Sequence, residues 1–127
     1  MCIIVAMIKT TQLVSMISVT DIERSIEFYR HLGFEVDNTF QAEGATKPSW
    51  AWLQSGAAQL MLSAATEPIV DKHTVLFYAY TKDVEAAHAS LVDAGLNPGA
   101  IAKPFYAPQG EFETVDPDGY VVMVTHT

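Results

Sequence analysis

Trp50 and Trp52 stand two positions apart, alternating with Ala51 and Leu53. On an extended strand this spacing puts both indoles on one face. There they either pack as a core pair or form a flat wall suited to planar ligands and, through the ring quadrupole, to cations. Glu111 and Glu113 share the spacing and have the chemistry of general bases or of counter-charges for a basic ligand. The four histidines, His31, His73, His88 and His126, show no recognised metal-ligand spacing. The chain has no Ser-His-Asp arrangement, no Gly-rich phosphate loop and no Cys-His pairing. The single cysteine, Cys2, excludes an internal disulfide and points to a reducing compartment.

The elements that must position these residues come in two copies. Asp21 opens a helical pattern ending at Gly33-Phe34, and Asp83 opens another ending at Gly95-Leu96, an offset of 62 in each case (83 − 21 = 95 − 33). The same offset pairs Gln59–Leu62 with Val121–Val124, and Trp50 and Trp52 with Phe112 and Thr114. Each copy reads as strand, helix and three strands. Thr20 and Glu23 form a capping-box signature before Ile22, Ile26, Tyr29 and Leu32 at helical spacing, and Ser55-Gly56 marks a hairpin. The division expected is an N-terminal extension over 1–12, serving as an edge or swapped strand, a βαβββ module over 13–65, a linker over 66–72 and a second module over 73–127. Met1 and Met7 are alternative starts.

Ile17, Val19, Leu60, Leu62, Val122 and Val124 match the apolar stripe of the first helix and belong under the helices. The opposite strand face then carries Met16, Trp50, Trp52 and Met61 in the first module. In the second it carries Tyr78, Tyr80, Phe112 and Met123. By the repeat, Glu111 and Glu113 match Ser49 and Ala51 and face away from the tryptophans. His88 matches Ile26 and points into the helix–sheet interface as a core histidine.

Half of the residues are hydrophobic and 17% are charged, a folded composition. The net charge of −8 argues against nucleic acid or an anionic membrane surface as partner and is compatible with a cationic ligand. No stretch approaches the ~20 apolar residues of a membrane span, and a cytoplasmic location is expected.

The run from Val19 through Asp21, Arg24 and Tyr29 to Leu32-Gly33-Phe34 resembles the first module of the vicinal oxygen chelate superfamily, which includes glyoxalase I, extradiol dioxygenases and bleomycin-resistance proteins. Asp83–Ala87 through Gly95-Leu96 is similar to its second helix, and Asp116-Pro117-Asp118-Gly119-Tyr120 to the turn before its last strand. The resemblance implies an α+β fold of two βαβββ modules related by a pseudo-twofold, with curled mixed sheets forming a cup and the helices outside. It also implies a homodimer. In metal-using members four ligands line the cup, and their positions here hold Val14, Met61, Leu76 and Met123. None suits zinc, nickel, iron or manganese. The expectation is therefore no metal and no cofactor. The resemblance and the apolar ligand positions favour a binding protein over an enzyme, one that sequesters an aromatic ligand such as an antibiotic, with a cationic one suited to the charge. Met16, Trp50, Trp52, Met61, Tyr78, Tyr106, Phe112 and Met123 are the candidate ligand contacts, Tyr106 from a loop that is a candidate lid. The alternatives are a metal-dependent lyase or dioxygenase, and a metal-free enzyme on the same fold.

Overall fold

In a computed structural model, residues 9–70 and 73–127 are described. Most of the 1–12 extension, with Cys2 and both candidate starts, and part of the 66–72 linker lie outside them. The order is β1 (Ser15–Val19), α1 (Ile22–Arg30), β2 (Glu35–Phe40), β3 (Trp50–Ser55), β4 (Ala58–Ala64), β5 (Leu76–Thr81), α2 (Val84–Asp93), β6 (Glu111–Val115) and β7 (Val121–His126). They make two open mixed sheets, one ordered β1-β4-β3-β2 and the other β5-β7-β6. The first strand of each half pairs in parallel with the last, β1 with β4 and β5 with β7. The helix between them serves as the crossover that parallel pairing demands.

The helices are set by local chemistry. Asp21 caps α1, its side chain accepting from the amides of Glu23 at 3.0 Å and Arg24 at 3.3 Å. The capping box expected on Thr20 does not form, because Thr20 instead donates both its amide and its hydroxyl to the Asp118 carboxylate. Both helices close in one way. Gly33 has a φ of 91° and the Phe34 amide reaches back to the Tyr29 carbonyl at 3.0 Å. Gly95 (φ 83°) and the Leu96 amide do the same onto Leu91. A side chain with a Cβ resists that left-handed backbone, so glycine belongs at both stops.

One continuous core joins the two halves. It runs from Ile17, Leu53 and Leu62 under α1 to Val84 and Leu91 of α2 and Val124 beneath them. Each fully buried aliphatic side chain contributes about 1.5–3 kcal/mol. The second half departs from the expected three strands after its helix. Its first post-helical strand shrinks to a bridge between Ala102 and Glu111, with the Gly99 amide also bonding the Glu113 carbonyl. Pro98 and Pro104 flank this segment, and prolines remove the amides that a longer ladder would use.

The joint between the halves is polar and centres on the β6–β7 turn. Asp116, 4% exposed, accepts from the amides of Asp118 and Tyr120 and from the Tyr29 hydroxyl of α1 at 2.8 Å. The Tyr120 hydroxyl donates to the Ser18 carbonyl of β1, and its ring stacks on His73 at 3.7 Å. Burial pushes the Tyr29 phenol far above its ordinary value, with the Asp116 carboxylate adding to the effect. Burial also raises Asp116, against the hydrogen bonds it accepts.

Because the Tyr29 phenol is held up in the folded state, its stabilising contribution is full below about pH 10. Above that, ionisation in the unfolded chain removes it at up to about 1.4 kcal/mol per pH unit. Urea unfolding at a series of alkaline pH values should show this slope, steepened by the raised phenols of Tyr106 and Tyr120. In Tyr29→Phe the slope should lose one phenol's share. That variant should also be about 1–3 kcal/mol less stable at neutral pH, since one Asp116 oxygen loses its buried donor.

Candidate functional site

The strand registers define the face turned away from the helices. In the first sheet Met16, Met61, Trp52 and Asn38 lie in one row across β1, β4, β3 and β2. The adjacent row is Ser18, Ser63, Trp50 and Phe40. Ala51, Leu53, Leu60 and Leu62 occupy the other face and are buried. Both indoles are half-buried, so the first sheet offers an aromatic and thioether surface with Met16 and Phe40 exposed at its flanks.

In the second sheet the matching rows are Tyr78–Met123–Glu113 and Tyr80–Thr125–Glu111. Here the repeat fails. Phe112 pairs with Val124 and Thr114 with Val122, so both lie on the helix side. Phe112 is 2% exposed and meets the His88 ring edge-to-face at 4.9 Å. Its placement on the inner face is corrected, and so is the outward placement of Glu111 and Glu113. The cause is the hairpin loop. In the first half Gln54 pairs with Gln59 across four residues, whereas in the second Val115 pairs with Val121 across five. One extra residue keeps the 62-residue offset for β7 but makes it 61 for β6 (123 − 61 = 62 and 113 − 52 = 61). A one-residue slip exchanges the faces of a strand. Glu111 and Glu113 thereby stand where the first half has Trp50 and Trp52.

The two carboxylates differ. Glu113 is exposed, while Glu111 is 6% exposed and takes a hydrogen bond from the Tyr106 hydroxyl at 2.8 Å on Oε1. That bond raises the Tyr106 phenol, with Tyr78 close enough to add to the effect. Tyr106 thus meets the second sheet at the Tyr80–Thr125–Glu111 row, from a loop whose Phe105 is 95% exposed. His88, as expected, packs into the helix–sheet interface, its Nε2 2.9 Å from the Gly99 carbonyl.

Among the cavities at the seam between the halves, two border the strands. One of about 310 Å³ lies between β5, the end of α1 and the β3–β4 hairpin, with Tyr78 and Tyr80 in its wall. The other, about 530 Å³, runs along β1 and takes in Met16, His73 and Tyr120. Trp50, Trp52, Met61 and Met123 line neither of these. The metal that the resemblance implies does not fit the residues present. Val14, Met61, Leu76 and Met123 offer no imidazole or carboxylate, and among the described residues no three His, Cys, Asp or Glu side chains gather as a metal site.

A profile described as the Glyoxalase/Bleomycin resistance protein/Dioxygenase superfamily matches residues 10–124. The chain belongs to that superfamily. Among solved structures, a bleomycin-binding protein complexed with bleomycin aligns with a TM-score of 0.71 at 19% identity, covering 93% of this chain and 99% of that one. The bleomycin-binding protein from bleomycin-producing Streptomyces verticillus, complexed with copper(II)-bleomycin, aligns at 0.69 and 22% identity, covering 95% and 99%. A genomically encoded fosfomycin resistance protein from Listeria monocytogenes aligns at 0.73 with 8% identity, covering 95% of each chain. At these identities the likeness is one of fold. No curated protein matches the sequence. Among the described residues of this superfamily member, no helix is long and apolar enough to cross a membrane.

The face assignment predicts unequal costs in the two sheets. Phe112→Ala should destabilise the protein by about 3–5 kcal/mol, as for a buried aromatic. Trp52→Ala, on the half-buried inner face, should cost less than half of that, with both read from denaturant midpoints at unchanged m-value.

Proposed function

We propose that this protein is a metal-independent small-molecule binding protein that sequesters an aromatic ligand, of the kind to which antibiotics belong, against the inner faces of its two sheets. The observation carrying this reading is the pair of rows Met16–Met61–Trp52 and Tyr78–Met123–Glu113. Where metal-using members of the superfamily place ligands, the centres of these rows are methionines. Thioethers beside indoles and phenols make a soft, adaptable surface for flat apolar ligands. The fold likeness to bleomycin-binding proteins supports the same class of function. Met16, Trp50, Trp52, Met61, Tyr78, Tyr106 and Met123 are the proposed contacts, and Phe112 acts from the core behind them.

The protein is proposed to work as a homodimer in the cytoplasm. Met16, Phe40, Leu76, Tyr78, Tyr80 and Val115 are each at least 47% exposed in the single chain and share the inner side of the sheets. An apolar surface of this extent calls for a partner, and a second copy would close the open cup. The net charge of −8 disfavours nucleic acid as partner.

Trp50 and Trp52 are the chain's two tryptophans and both lie on this face, so intrinsic fluorescence reports the site directly. Titration with bleomycin and a panel of flat aromatic natural products in excess chelator should give saturable quenching at micromolar ligand or below. Trp52→Ala should weaken it at least about tenfold while remaining folded. A flat response across the panel, or binding abolished by chelator, would overturn the proposal.

A further inference from the structure

We propose that Glu111 receives the cationic group of the ligand, so that the site selects aromatic rings bearing a protonated amine or amidinium over neutral rings of the same shape. This rests on the aromatic-cup reading above and names the ligand chemistry at its second wall. Glu111 is 6% exposed, yet among the described residues only its Oε1 has a partner, the Tyr106 hydroxyl at 2.8 Å. Its Oε2 is buried with no hydrogen-bond partner. A buried carboxylate oxygen without a donor is costly, and a charged N–H donor is the group that satisfies it best. The register turns this side chain to the inner face, across from Thr125 and one row from Glu113 and Met123.

Among the described residues no side chain supplies that donor. Among the described residues, no lysine, arginine or histidine comes within ion-pair distance of Glu111 or Glu113. The acidic pair occupies in the second half the positions that Trp50 and Trp52 hold in the first. One wall of the site is therefore flat and aromatic, the other anionic, and a ligand combining a ring with a cation meets both.

The test is calorimetric titration of the full chain with 9-aminoacridine, cationic at neutral pH, and acridine, its neutral near-isostere. The cation should bind at least about tenfold more tightly. Glu111→Gln should bring the two affinities together, and Glu113→Gln, at the exposed position, should narrow the gap by less than about threefold. Should Glu111→Gln fail to fold, Tyr106→Phe decides, since freeing Oε1 should widen the preference for the cation. Acridine binding with no preference for the cation, or a preference untouched by Glu111→Gln, overturns the inference and leaves the aromatic cup standing. No binding of either probe overturns both.

Discussion

The structure turns on one buried carboxyl. Asp116 gathers two amides of its own turn and the Tyr29 hydroxyl from the opposite half of the chain, 87 residues away. This ties the β6–β7 hairpin to α1, while Tyr120 and Asp118 extend the same contact to β1 and to the start of α1. A turn closed by this carboxyl must be long enough to wrap around it. The length of that turn then decides which side of β6 meets the core. Docking of the two halves and the character of the second inner wall thus have one cause.

The two walls consequently differ in kind although their frames match. In the first sheet Met61 faces an indole on the neighbouring strand, and in the second Met123 faces a carboxylate. Neither wall can do metal chemistry at the positions the superfamily uses for it, because thioethers hold the centre of each. The proposed recognition would rest on shape, polarizability and charge, with the phenols of Tyr78, Tyr80 and Tyr106 on the same face as orienting groups. The His88–Phe112 contact supports β6 from behind and keeps its acidic side turned inward.

Much of this was legible in the sequence. The two helices with their glycine stops, the aliphatic core face and the shared face of the tryptophans all follow from local periodicity. The errors arose where a local rule met a distant partner. Thr20 reads as a helix cap, but Asp118 takes its hydroxyl, and Asp21 caps instead. Phe112 reads as an inner-face residue only if the 62-residue offset is carried unchanged across hairpins of unequal length. The signal for its true place was present. Glu111, Glu113 and Val115 alternate with Phe112 and Thr114, and charged side chains do not belong under a helix. The Tyr29–Asp116 bond had no signature in either residue's neighbourhood.

The extra residue in the β6–β7 hairpin has a meaning for descent as well as for geometry. In a chain whose halves share one plan, substitution edits one contact at a time and leaves the others as they were. A change of turn length exchanges every side chain of the adjoining strand in one step, burying what was exposed and presenting what was buried. Two halves that began alike can in this way come to present unlike inner faces, one lined by indoles and one by carboxylates, without any mutation on the strand that changes sides.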